Sequence, residues 1–182
     1  MKLFLLILGC TPKARNTEQH DTFFGIGNSL NDLLPQIENF WHDGGKKHID
    51  SWKEVTAVNN FSIKIFAKEN APAKTLNKLF FLNLGGYKPG DLEEYHYKLL
   101  AVAANKSDAI AVAKQTAFYK HTGFKGATSH IDDKYGVDVD DIHEIEEILS
   151  QELKDKYIVV IENAAFLPED ELHIGYVKLS SL

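Results

Sequence analysis

A chain of 182 residues, 44% hydrophobic and 25% charged, can bury one large or two small cores and lies too near the globular average for disorder. The formal net charge of −6, with scattered acids and no Lys/Arg stripe, excludes nucleic acid as the expected partner. No apolar run approaches the ~20 residues that cross a bilayer, and one cysteine, Cys10, excludes an intramolecular disulfide framework.

The first element is the apolar run "KLFLLILG" at 2–9, which reads as a strand covered on both faces. Followed by Cys10, it also fits a lipoprotein signal anchored at that cysteine, so two locations compete: cytoplasmic domain or anchored lipoprotein. A polar loop, Thr11–Asn16, leads to a second strand near 20–27. "GIGNS" at 25–29 lacks the third glycine and Lys-Ser/Thr of a phosphate loop and reads as a strand-to-helix turn. Ser29 then caps a helix with Leu30, Leu33, Leu34, Ile37 and Trp41 at helical spacing, kinked or delayed by Pro35. The segment "HIDS" at 48–51 is extended and runs on to Val55–Val58 and an alternating strand, Phe61, Ile63 and Ile65.

The second half opens with "KLFFLNLG" at 78–85, a loop at Tyr87–Leu92 and a strand near 96–104. Ser107 caps a helix through Ile110, Ala113, Ala117 and Phe118. After "HIDD" at 130–133, the acidic stretch 132–141 reads as loop and helix N-cap, since it misses the calcium-loop register. Asp140 or Asp141 then starts an extra helix near 141–154, with Ile142, Ile145, Ile148, Leu149 and Leu153 on one stripe. A strand at 156–162 and a last strand, Ile174–Leu179, complete the chain.

Sliding the chain against itself by 76 residues superimposes the two opening strands and continues without a gap. Eight of 27 positions are identical, including Glu18 on Glu94 and His20 on His96, where chance gives about one or two. With six further residues, "HIDS" meets "HIDD". The strand reading of 2–9 follows, because its copy lies in mid-chain. The expected fold is α+β, two tandem ββαββ-like repeats (1–77 and 78–182) with mostly antiparallel sheets covered by helices. The halves are expected to pack about a pseudo-twofold axis as one compact unit, the final strand closing the second half.

The repeat also singles out chemistry. Glu18-x-His20 and Glu94-x-His96 are matched pairs, as are His48-x-Asp50 and His130-x-Asp132. In extended backbone, residues two apart share a side, so each pair presents an imidazole and a carboxylate together. Such pairs can brace a fold, line a ligand site with Trp52 beside His48, or hold a divalent metal through His20, His48, His96 and His130.

The segments "LGGYKPGDLEEYH" and "HIDSWKEV" resemble an uncharacterised bacterial family, domain of unknown function 1543 (DUF1543). The resemblance rests on Gly85-Gly86, Glu94, His96 and His48–Trp52, once per half, with Cys10 in place of Gly86 and Lys134 in place of Trp52 as departures. It implies kinship without a known activity. Three functions stay open on the residues. The first is a ligand-binding or accessory protein with a polar His/Glu/Asp site in each repeat. The second is a divalent-metal-dependent hydrolase with Glu18 or Glu94 as base, and the third a homo-oligomer paired through sheet edges.

Overall fold

The run Lys2–Cys10 is strand β1 of a four-stranded antiparallel sheet in the computed structural model, which describes residues 1–73, 75–87, 90, 92–115 and 137–182. It pairs on one side with β2 (Gln19–Gly27) and on the other with β3 (Lys47–Glu54). Phe4, Leu6 and Leu8 point to one face, where Phe23, Ile49, Leu33 and Ile37 complete a buried cluster. Each such side chain contributes about 1.5–3 kcal/mol on burial, against about 0–1 for an exposed ion pair such as Lys2–Glu54. The apolar seam therefore decides which way the sheet faces.

Leu33 and Ile37 reach that seam from a 3-10 turn, Leu30–Leu33, and helix α1 (Leu34–Phe40). Ser29 stands at the N-cap of the turn, and Pro35 sits in the first turn of α1, where its missing N–H costs nothing. The delayed start expected from Pro35 is the one adopted. A second sheet joins β4 (Ala57–Val58), β5 (Phe61–Ala67) and, after a short helix at Gln151–Lys156, β9 (Tyr157–Asn163).

Contacts group Met1–Lys74 with Leu149–Leu182 as one unit, and Thr75–Ile148 as the other. In the second, β6 (Lys78–Tyr87) is the central strand between β7 (Glu94–Ala103) and β8 (Val137–Glu144). Phe80, Leu82, Leu84, Ala101 and Ala103 bury against Ala109 and Ala113 of helix α2 (Lys106–Ala113). Asn105 caps α2, accepting from the Asp108 N–H at 3.0 Å, so the cap lies two residues before the expected Ser107. Every strand pairing among the described residues is antiparallel, as expected of this α+β chain.

Three expectations are corrected. Residues 137–144 are a strand, not loop and helix, because Val139 and Ile142 alternate into the β6 core opposite Leu84 and Leu82. The expected helix at 141–154 is two short ones, Ile145–Ile148 and Gln151–Lys156, the second capped by Ser150 rather than Asp140 or Asp141. The last strand, β10 (His173–Lys178), pairs with β3 in the first unit rather than closing the second half. Val177 fills the seam beside Ile49 there, and Leu179 and Leu182 beyond β10 also pack against it. Ala117, Phe118, Gly123, His130 and Asp132 lie outside the described residues.

The same strand-end ion pair occurs in each unit: Lys2 to Glu54 and Lys78 to Glu144, both at 2.6 Å. Donating a hydrogen bond to the Glu144 carboxylate raises Lys78 above its ordinary pKa. No helix among the described residues is long and apolar enough to cross a membrane.

The segment before β10 is tied down by Asp170, whose carboxylate accepts from Thr56 N at 3.0 Å, Ala57 N at 3.2 Å and the Thr56 hydroxyl. Asp170→Ala strands those donors and is expected to cost about 1.5–3 kcal/mol, read as a lower urea midpoint at unchanged slope. An unchanged midpoint would show that the tie contributes nothing. Burial pushes the Cys10 thiol up from its ordinary range, so thiol reagents should label it only on unfolding.

Candidate functional site

Two glycines of the central strands organise the site. Gly9 lies between His20 on β2 and His48 on β3, and Gly85 between His96 on β7 and Asp138 on β8. Neither glycine ends its strand, as the sequence reading assumed; β1 and β6 run through them. Their role is close approach. A Cβ on Gly9 would collide with His48 Nε2 and come within 2.9 Å of Asp50 Oδ2. On Gly85 it would collide with Asp140 Oδ2 and reach Glu94 Oε1 at 2.7 Å. A Cβ at either place would force these side-chain ends to shift.

Beside each glycine the partner strand bulges. The β1–β3 register shifts between Ile7 and Leu8, leaving Asp50 as the extra residue. The β6–β8 register shifts between Asn83 and Leu84, leaving Asp140 extra. A bulge re-aims its side chain and kinks the strand locally. In both units it turns an aspartate toward the glycine.

The first unit then gathers Glu18, His20, His48 and Asp50. His20 Nε2 stands 3.1 Å from Asp50 Oδ2 and 3.6 Å from Glu18 Oε2. His48 Nε2 stands 3.1 Å from Asp50 Oδ1 and 3.2 Å from Glu18 Oε1. Despite His20, Asp50 Oδ2 is buried without a hydrogen-bond partner, since the approach lacks the alignment of a bond. The His48 side chain is 6% exposed, and the Tyr176 ring of β10 lies over it, centroids 4.3 Å apart.

The second unit gathers Glu94, His96 and Asp140. His96 Nε2 lies 3.3 Å from Asp140 Oδ2 and 3.9 Å from Glu94 Oε2. One ligand atom from each of the three falls within 4.8 Å of the others. One imidazole faces two carboxylates here, so the cluster keeps an excess of negative charge.

All four first-half acids and histidines named from the sequence therefore converge, and so do Glu94 and His96. Two readings are corrected. The position equivalent to His48 in the second unit is Asp138, and that equivalent to Asp50 is Asp140, so the strand equivalent of "HIDSWKEV" is "DVDDIHEI"; His130 and Asp132 lie outside the described residues. Trp52 does not line the site. The bulge at Asp50 reverses the alternation after it, sending Trp52 into the opposite, apolar face against Phe4 and stacked on His173 at 3.9 Å. Asp140, Gly9, Gly85 and Tyr176 were missed. An offset of 90 residues, placing Asp50 on Asp140 and Glu54 on Glu144, carried the signal for the acids.

Residues 15–65 match the family model described as Domain of Unknown Function (DUF1543). The resemblance read from Glu-x-His and "HIDSW" is thus matched over this span, which holds the whole first cluster. The crystal structure of a protein Il1583 from Idiomarina loihiensis is similar, with a TM-score of 0.67, covering 98% of this chain and 97% of that one at 23% identity. At that identity the likeness speaks for the fold alone. No curated protein matches the chain.

Gly85→Ala is expected to displace Asp140 and Glu94 and to cost about 1–3 kcal/mol as local overpacking. Histidine NMR signals read it directly: His96 should shift, and an unmoved His96 resonance in a fully stable variant would contradict the close-approach role.

Proposed function

We propose that this chain is a divalent-cation-binding protein in which two copies of one ancestral unit each present a His/carboxylate cluster beside a central-strand glycine. The observation that carries the reading is the second cluster, where ligand atoms of Glu94, His96 and Asp140 crowd within 4.8 Å around one imidazole. A divalent cation among them would neutralise the two carboxylates that crowd on one ring.

The spacings support the same role in the first unit. Donors bonded to one cation at about 2.0–2.2 Å are separated by about 3.0–3.5 Å from one another. The four imidazole–carboxylate approaches there run from 3.1 to 3.6 Å, each to a different carboxylate oxygen, so one ion would draw one oxygen of each acid between the two rings. Asp50 Oδ2, buried and without a hydrogen-bond partner, would gain the partner it lacks from a bound cation. Glu18, His20, His48 and Asp50 would hold the ion in the first unit, and Glu94, His96 and Asp140 in the second.

The duplication rests on the common pattern: glycine, flanking histidine, bulged aspartate and strand-end Lys–Glu pair, at Gly9, His20, Asp50, Lys2–Glu54 and again at Gly85, His96, Asp140, Lys78–Glu144. The reading is binding, since every carboxylate of the two described clusters would be taken up as a ligand. A cytoplasmic setting fits Cys10, buried and free.

Dialysis of chelator-stripped chain against Mn2+ or Zn2+, followed by elemental analysis, should find about two ions per chain. Asp140→Asn should remove one of them, with affinity at the altered site falling ~10–100-fold. A wild-type chain that retains no ion would refute the reading.

A further inference from the structure

We infer that the two clusters select different cations, zinc in the first unit and a harder, water-keeping ion such as Mn2+ or Mg2+ in the second; the inference rests on the cation-binding reading above. The difference lies in one register position. Opposite Gly9 stands His48; opposite Gly85 stands Asp138. The first unit therefore offers two imidazole nitrogens and two carboxylates, from His20, His48, Glu18 and Asp50. The second offers one nitrogen, from His96, with the carboxylates of Glu94 and Asp140 beside it, and the register position of the second histidine is taken by Asp138.

Nitrogen donors favour zinc, whereas carboxylate and water favour magnesium and manganese. Charge points the same way. Two neutral imidazoles and two carboxylates neutralise Zn2+ and complete a four-coordinate shell without water. One imidazole among carboxylates leaves room for the waters that Mg2+ and Mn2+ retain. His48 is shut away from solvent beneath Tyr176, so the first unit has one fixed, dry nitrogen donor, whereas His20 at 46% and His96 at 40% are similarly exposed.

The test uses the full chain and two metals. His96→Ala leaves the first site to be measured alone, and His20→Ala leaves the second; both side chains are partly exposed, and thermal melting checks each fold. Competition between Zn2+ and Mn2+, read by elemental analysis and by the Mn2+ EPR signal, gives a Zn/Mn affinity ratio for each site. The first-site ratio should exceed the second by at least ~10-fold. Asp138→His should raise the second-site ratio toward the first; if that variant does not fold, His48→Asp should lower the first-site ratio instead. Equal ratios, unmoved by the exchanged residue, would overturn the inference and leave cation binding standing. Absence of any bound ion at both sites would instead sink the reading it rests on, and the inference with it.

Discussion

The hydrogen atom that serves as the side chain of Gly9, and again of Gly85, is the constraint on which the arrangement depends. A central strand is flanked by two others about 4.8 Å away, and a Cβ would normally fill the space between their side chains. Removing it lets donors from both flanking strands meet over bare backbone. The neighbouring bulge supplies the remaining part, turning Asp50 or Asp140 inward where a regular strand would alternate it onward. Glycine and bulge each weaken a sheet locally. The apolar seams of Phe4, Leu6 and Leu8, and of Phe80, Leu82 and Leu84, offset that loss on the opposite faces.

This division of labour between faces accounts for much of each unit. One face of the central strand is apolar and fixes register, because a one-residue slip would expose the whole seam. The other buries Leu3, or Leu79 and Phe81, near the start of the strand and meets the acids and histidines of the flanking strands at Gly9 or Gly85. The terminal strand β10 joins the two roles in the first unit: Val177 packs into the seam, and Tyr176, on the other side, covers His48.

The sequence disclosed the central strands because burial on both faces forces near-continuous apolar runs, and the run at 2–9 has a near copy at 78–85. It disclosed Glu18, His20, Glu94 and His96 because an ungapped offset of 76 carries through the first hairpin of each half. Past the helix that offset fails. The third strand of the second unit is displaced by 90 residues, and only Asp50/Asp140 and Glu54/Glu144 match in identity along the facing segments. The literal match "HIDD" lies outside the described residues, whereas the strand that pairs with β6 as β3 pairs with β1 is Val137–Glu144. Trp52 was misread for a different reason, since a bulge leaves no mark in a two-residue alternation. The partner of β10 was illegible because Ile174–Leu179 is compatible with either sheet, and packing of Val177, Leu179 and Leu182 decides between them.

The central claim is that each glycine-and-bulge pair gathers donors around one cation. Anomalous diffraction at the manganese and zinc edges, from crystals grown with both ions, tests it most directly. The account predicts one peak among Glu94, His96 and Asp140 and another among Glu18, His20, His48 and Asp50. Well-ordered side chains at both places with no anomalous density between them would contradict it.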